Sequence, residues 1–84
     1  MTLNELLDLR LIHDNARIFV WKRNYNGLGE FTHKYNITRI MGRVLEKEDL
    51  LKNGVEPQML DYNVKEMFGD KNKYKIGIVI ERIE

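Results

Sequence analysis

The sequence contains no cysteine and only one proline among its 84 residues. Without cysteine, neither a disulfide nor a thiolate metal site can add to the stability of the fold. A chain of this length buries only about 60–65% of the surface that it exposes when unfolded, so its margin of stability is thin. We expect a single domain over residues 1–84, for which homodimerisation is the remaining way to bury more surface.

Long apolar runs are missing as well. The segment from Met1 to Asp14 places Glu5, Asp8 and Arg10 among its leucines, so we expect no signal peptide. No stretch approaches the roughly 18 apolar residues that a membrane span requires. With 43% hydrophobic and 32% charged residues, the composition is that of a soluble globular protein, and we expect it in the cytoplasm, away from membranes.

The formal net charge is only +1, but the charges are unevenly distributed. Residues 17–43 carry six basic side chains against one acidic one, a balance of +5. Residues 44–70 carry three basic side chains against seven acidic ones, a balance of −4. The chain therefore has a basic segment and an acidic segment, each of which is a candidate binding surface.

The first element is an N-terminal helix. Thr2 and Glu5 have the spacing of a capping box, in which each side chain accepts a hydrogen bond from the other residue's backbone amide. Leucines recur at helical spacing after Thr2, which predicts a helix from Leu3 to Leu11. The turn-forming residues Asp14 and Asn15 then end it.

A strand with two apolar faces follows at Arg17–Lys22, and two such faces are typical of a central strand or of one whose second face is covered. The Asn-Gly pair within Asn24–Gly29 predicts a hairpin turn, and Glu30–Lys34 begins the returning strand. Residues 36–45 fit a strand and a helix almost equally well. We favour extended structure there, because β-branched residues are frequent and Gly42 would interrupt a helix.

The remaining third predicts a short helix over Glu46–Asn53, closed by Gly54, and a further turn from Pro57 to Leu60. Two strands, Asn63–Phe68 and Lys73–Ile83, then form a hairpin around Gly69–Asn72. In the second strand Tyr74, Ile76, Ile78 and Ile80 share one face.

Together these elements predict an α+β fold. An N-terminal helix packs on a small antiparallel sheet of about four strands, with a short helix before the C-terminal hairpin. The residues expected to supply most of the core are Leu3, Leu6, Leu7, Ile18, Val20, Met59, Leu60, Tyr74, Ile76, Ile78 and Ile80.

No motif for catalysis, metal binding or cofactor binding stands out. The two histidines, His13 and His33, fall on different elements without further ligands at metal-site spacing. Gly27 and Gly29 lack the third glycine and the following helix of a phosphate-binding loop. We therefore expect a protein that is not an enzyme and binds no metal or cofactor.

Aromatic residues cluster around the first hairpin and alternate with basic ones, which permits two interpretations. The cluster consists of Phe19, Trp21, Tyr25, Phe31 and Tyr35, interleaved with Lys22, Arg23 and Lys34. The aromatic residues either supply the core or stack the bases of a nucleic acid. The residues of the second interpretation are Trp21, Lys22, Arg23, Arg39 and Arg43. The sequence pI of about 8.0 is modest for a dedicated nucleic-acid binder.

The acidic segment offers the opposite potential. Negatively charged small proteins can occupy basic grooves that were built for nucleic acid, because complementary charge steers the encounter. Its candidate partner-binding residues are Glu46, Glu48, Asp49, Asp61 and Glu66. The alternative is a solvated helix and loop in which the carboxylates complement the helix dipole.

The two ends of the chain resemble a group of small proteins encoded by phages and integrative elements of Gram-positive bacteria. Thr2–Leu9, followed by a strand such as Arg17–Trp21, resembles their opening. Pro57–Val64 and the alternating aliphatic residues of Ile76–Glu81 resemble their ending. The resemblance implies an accessory role in a mobile genetic element, a setting that includes inhibitors of bacterial defence such as anti-CRISPR proteins.

Two functions follow as hypotheses. The leading one is a non-enzymatic mobile-element protein that binds and inhibits a host defence protein or ribonucleoprotein through its acidic residues. The alternative is a small accessory protein that binds nucleic acid through its basic and aromatic residues.

Overall fold

The computed structural model describes residues 1–12, 17–23, 31–39, 42–70, 72 and 74–82. The elements in chain order are helix α1 (Leu3–Asp8), strands β1 (Arg17–Arg23) and β2 (Phe31–Ile37), helix α2 (Lys47–Lys52), a 3₁₀ helix (Pro57–Asp61), and strands β3 (Asn63–Asp70) and β4 (Lys75–Glu81). The predicted α+β class is confirmed. The predicted first hairpin turn at 24–29, with Gly27 and Gly29, lies outside the described residues, as do His13, Asp14 and Asn15.

The four strands form one sheet in the order β2-β1-β4-β3, so β1 is a central strand as predicted. The β1–β2 and β3–β4 pairs are antiparallel, and the latter is the predicted C-terminal hairpin. The two central strands, β1 and β4, are parallel, which makes the sheet mixed rather than wholly antiparallel. The alternation of apolar and polar side chains does not predict whether two strands are parallel. It assigns residues to the two faces of a sheet but does not identify the partner strand.

The helices pack on one face of the sheet and form a two-layer core with it. The buried residues of that core are Leu3, Leu6, Leu7, Ile12, Ile18, Val20, Ile37, Leu45, Leu50, Val55, Met59, Ile78 and Ile80. Leu60 and Ile76 are partly buried against it, so ten of the eleven predicted core residues lie in or against the core. The sheet face that these residues occupy is the core face.

Tyr74 is the exception. Its side chain is 70% exposed, and its backbone has a φ of +48°, outside the extended region. Strand β4 begins only at Lys75, one residue after Tyr74. The prediction that Tyr74 belongs to the core was therefore wrong, because the alternating pattern of β4 does not extend to this residue.

Helix α1 begins with the predicted capping box. The Glu5 amide donates to the Thr2 hydroxyl at 3.1 Å, and the Thr2 amide donates to Glu5 Oε1 at 3.0 Å. The bond that the Glu5 carboxylate accepts from the Thr2 backbone amide, followed by its interaction with the Thr2 hydroxyl, lowers the pKa of Glu5 below its ordinary value. The helix ends at Asp8 rather than at the predicted Leu11, because Arg10 adopts a φ of +53° that a helix does not allow.

The segment between β2 and α2 corrects the extended interpretation of residues 36–45. Strand β2 ends at Ile37, and the described residues 38–39 and 42–46 form neither strand nor helix. Leu45 is nevertheless fully buried, and its amide donates to the Ile12 carbonyl at 2.7 Å. The pattern of apolar residues there reflects anchoring of a loop to the core.

Helix α2 and the following turn agree with prediction. Asn53 is the C-cap of α2, and Gly54 follows it with a φ of +97°, a conformation that favours glycine. Pro57 opens the 3₁₀ helix. Among the described residues, α1 and α2 are six residues long each, and no helix has the length and apolar character to span a membrane.

Candidate ligand-binding face of the sheet

The sheet face opposite the helices, which we term the outer face, carries an ordered grid of side chains. In one cross-strand row Asn36 pairs with Phe19, Phe19 with Gly77, and Gly77 with Phe68. The next row contains Lys34, Trp21, Val79 and Glu66. No described helix packs on these rows, because every described helix contributes its buried side chains to the opposite face.

Two lysines lie over the aromatic rings of the outer face. The Lys34 Nζ atom is 4.3 Å from the centre of the Phe19 ring and 4.9 Å from that of Trp21. The Lys75 Nζ atom is 5.4 Å from the centre of the Phe19 ring. Phe19 and Trp21 are half-buried, whereas Lys34 is exposed. The ammonium groups therefore cover an apolar surface while remaining in contact with water.

Val79 shows how dense this face is. Its side chain is 1% exposed although it lies outside the helix-packed core. Its neighbours in register are Trp21 on β1 and Glu66 on β3. The outer face thus has a small apolar layer of its own, rimmed by charged side chains.

A groove opens beside Phe19 at the start of β1. Its volume is about 490 Å³. The cationic residues in its lining are Arg17, Lys34 and Arg39, and Asn36 adds an amide. No carboxylate is among the described residues that line it, so the described part of the lining favours an anion.

The acidic side chains of the outer face that the structure describes lie farther from this groove. Glu66 is exposed on the edge strand β3, and Glu81 stands at the far end of β4. The outer face is therefore basic near the Arg17 end of β1 and acidic toward β3. A polyanion is favoured only on the basic part.

The structure divides the predicted nucleic-acid-binding residues among several surfaces. Trp21 is on the outer face, whereas Lys22 points to the core face, with its Nζ 6.0 Å from the centre of the Tyr62 ring. Arg39 lines the groove and donates to the Arg43 carbonyl. The Arg43 guanidinium forms an ion pair with Asp49. Arg23 lies in β1 opposite Glu81, and its side chain is outside the description.

Other members of the predicted aromatic cluster do not join the outer face. Tyr35 lies on the core face, packs partly against the core, and stacks on His33 with ring centres 5.9 Å apart. Burial, followed by the nearby Glu56 carboxylate, raises the pKa of Tyr35 above its ordinary value. Tyr25 lies outside the described residues, and Phe31 is described only by its backbone.

Among the acidic candidates, Asp49 has a structural role, because its carboxylate is buried and bonded within the protein. Its side chain is 5% exposed and pairs with Arg43, while its Oδ2 accepts a hydrogen bond from the Glu46 amide at 2.9 Å. A carboxylate engaged by two donors inside the protein is not available to a partner protein. Within the cluster of Glu46, Glu48 and Asp49, only Glu48 therefore has an exposed side chain.

The remaining acidic candidates are dispersed. Glu46 is half-buried and its Oε1 lies 3.3 Å from Arg10 Nη1. Glu48 is exposed on α2, Asp61 is exposed at the end of the 3₁₀ helix, and Glu66 is on the outer face. The acidic segment of the sequence therefore does not form one continuous acidic patch.

Within the described part of the chain, no group of three or more histidine, cysteine or acidic side chains has the geometry to hold a metal ion. A second, smaller cavity of about 190 Å³ lies between α1 and α2. Its lining mixes Asp8, Glu46 and Glu48 with Arg10 and Lys47. These charges largely balance, so this cavity selects no ligand charge.

Sequence reasoning identified part of the outer face. Phe19, Trp21 and Lys34 belong to the predicted aromatic and basic cluster, but Phe68 and Lys75 come from the C-terminal hairpin. The signal for the latter is the period-two pattern of β4, which places Lys75, Gly77 and Val79 opposite the isoleucines. Only the parallel pairing of β1 with β4 brings the two sets together.

The described residues define a two-layer α+β protein in which helices cover one face of the sheet and no described helix packs on the other. No known protein family, curated protein or solved structure matches this chain. The resemblance to small phage and integrative-element proteins therefore remains a prediction.

Proposed function

We propose that the protein is a non-enzymatic accessory protein that binds nucleic acid on its outer face. The observation that carries the proposal is the position of the Lys34 ammonium, within 5 Å of the ring centres of both Phe19 and Trp21. Aromatic faces beside ammonium groups supply two contacts that a nucleic acid needs. They are a stacking surface for bases and a partner for phosphates.

The lysines that lie over the rings do not prevent this binding. An exposed contact between a cation and an aromatic ring is worth about 0.5–1 kcal/mol, whereas stacking a base on a ring is worth about 1–3 kcal/mol. A base can therefore replace the Lys34 ammonium on the rings at a net gain. The displaced ammonium, on its flexible side chain, then pairs with a phosphate of the same ligand.

Intrinsic fluorescence tests the proposal directly, because Trp21 is the only tryptophan of the chain. Titration with short DNA and RNA oligonucleotides should change the Trp21 emission, and the affinity should fall as the salt concentration rises. Lys34→Gln should weaken binding several-fold. Lys52→Gln, which removes an exposed charge from the last turn of α2, is the matched control and should bind like the wild type.

Glu66 supplies a variant with the opposite expected sign. Its carboxylate lies on the outer face next to Val79 and repels phosphates that approach from β3. Glu66→Gln should therefore strengthen binding of the oligonucleotides, whereas Glu48→Gln on α2 should not. Unchanged Trp21 emission and no retention of any oligonucleotide at low salt would refute the proposed function.

A second candidate is the mobile-element inhibitor that binds a host defence protein or ribonucleoprotein. It is supported by the exposed carboxylates of Glu48 and Asp61 and by the resemblance of the chain ends. Its test is affinity capture from a Gram-positive host with the wild type and with Glu48→Lys/Asp61→Lys. Loss of a specific host protein from the capture by the variant supports this candidate. Identical capture by both proteins would show that Glu48 and Asp61 do not contribute to binding.

A further inference from the structure

We infer that the nucleic acid bound by the outer face is single-stranded, with bases on Phe19 and Trp21 and neighbouring phosphates in the groove lined by Arg17, Lys34 and Arg39. This inference rests on the proposed function and specifies its ligand. Two independent features of the structure carry it. They are the spacing of the rings and the charge of the groove.

The ring spacing excludes a paired duplex. Phe19 and Trp21 are two residues apart on one strand, which separates them by roughly 6.6 Å along β1. Successive bases in a duplex rise about 3.4 Å per strand and stack on one another, so that they present only their edges to a protein. Bases that are unstacked and further apart, as in a single strand, can each meet one ring.

The groove supplies the second contact immediately beside the rings. Phe19 belongs both to its lining and to the pair of rings under Lys34, so the groove and the stacking surface are continuous. Arg17 is exposed at the start of β1, and Arg39 is held by its bond to the Arg43 carbonyl. The three cations among the described residues of the lining match the charge of a phosphate backbone.

The cavity between α1 and α2 does not offer the same match. Asp8, Glu46 and Glu48 are in its lining, and the described residues that line it include no aromatic side chain. Charge complementarity therefore selects the groove on the outer face. It also orients the strand, which runs from the rings toward the Arg17 end of β1 and away from Glu66.

Three probes of equal length test the inference: a single-stranded oligonucleotide, its duplex, and a single strand with abasic sites. All three are prepared as DNA, and the first two are also prepared as RNA. The single strand should bind at least about tenfold more tightly than the duplex. The abasic strand should lose about tenfold or more, because it keeps the phosphates and lacks the stacking bases. Comparison of the DNA and RNA single strands identifies which of the two nucleic acids the protein binds more tightly.

The groove is tested by the salt dependence of binding. Each phosphate contact on a single strand contributes about 0.7 to the slope of log K against log salt concentration. Arg17→Gln and Arg39→Gln should each reduce the slope by about that amount, and Lys52→Gln should leave it unchanged. Arg39→Gln could disturb the loop that contains Arg43, to whose carbonyl Arg39 donates. Arg17 is exposed, so Arg17→Gln still tests the groove in that case.

Each contrary result has a distinct meaning. Equal affinity for single strand and duplex would overturn the single-stranded ligand while leaving the proposed function intact. Equal affinity for the abasic strand would overturn the stacking role of Phe19 and Trp21. Unchanged slopes in both arginine variants would overturn the groove, and failure of every probe to bind would overturn the proposed function itself.

Discussion

The ring of Phe68 lies directly over Gly77, its cross-strand partner in the β3–β4 hairpin. A Cβ atom built on Gly77 would overlap three atoms of that ring, and even the farthest, Cε1, would be only 2.6 Å away. Glycine at this position therefore lets the ring of an edge strand reach across the central strand. On its other side Gly77 pairs with Phe19, so one small residue separates two aromatic rings.

Gly77→Ala should therefore destabilise the protein. The new methyl group forces the Phe68 ring off its place. Because this ring is 45% exposed and can turn toward solvent, we expect a loss near the lower end of the about 1–3 kcal/mol that overpacking costs. Urea unfolding followed by Trp21 fluorescence measures the loss. Gly69→Ala on β3 is the matched control, because its Cβ would meet only the Lys75 carbonyl oxygen at an ordinary 3.7 Å.

Removing the ring tests the cause. In a Phe68→Ala background, Gly77→Ala should cost clearly less than in the wild type, because the atoms that it would overlap are gone. An equal cost in both backgrounds would show that the Phe68 ring is not what requires glycine at this position.

Asp49→Ala should destabilise the protein by about 1–3 kcal/mol, because it removes an ion pair with Arg43 and a cap on the Glu46 amide. Glu48→Ala changes an exposed carboxylate in the same turn and should stay within about 0.5 kcal/mol of the wild type. Chemical denaturation of the three proteins provides the comparison. Similar stabilities for the two variants would contradict the structural role of Asp49.

Stability should depend on pH through Glu5. Its folded pKa is lowered by the bonds from Thr2, so its contribution is fully present above the unfolded value of 4.5. The contribution is lost as the pH falls through the lower, folded pKa. The difference in unfolding free energy between wild type and Glu5→Gln should shrink as the pH falls below 4.5. A difference that is constant with pH would contradict the capping box as the source.

Tyr74→Gly should stabilise the protein or leave it unchanged. Tyr74 has a φ of +48° and is 70% exposed, so glycine relieves an unfavourable backbone conformation while losing little packing. The left-handed conformation costs an ordinary residue about 1 kcal/mol relative to glycine. Thermal and urea unfolding measure the change. A marked loss of stability would show that the Tyr74 side chain is part of the packing after all.

Local chemistry explains which parts of the fold were predictable. The capping box of Thr2 and Glu5, the glycine stop at Gly54 and the alternation of β1 and β4 each act within a few residues, so the sequence specifies them directly. The end of α1 was predicted too late because the apolar spacing continues to Leu11, whereas Arg10 leaves helical geometry. Periodicity locates a helix better than it locates its end.

The candidate site was less predictable, because it depends on which strands become neighbours. The burial of Val79 and the position of Lys75 over Phe19 both follow from the β1–β4 pairing, which joins residues almost 60 positions apart. The burial of Asp49 was not predictable for a related reason. Aspartate is usually a surface residue, but Asp49 is buried and forms an ion pair with Arg43. Arg43 lies in a loop whose path the sequence does not specify.

The placement of β4 between β1 and β3 also has a consequence for biosynthesis. A chain leaves the ribosome from its N-terminus at about 5–20 residues per second, so β1 and β2 emerge well before β4. Until β4 emerges, Ile18 and Val20 lack the strand that flanks them in the finished sheet. The nascent chain therefore has an open β1 edge, which can pair with another chain until residues 75–81 insert and join the two antiparallel strand pairs.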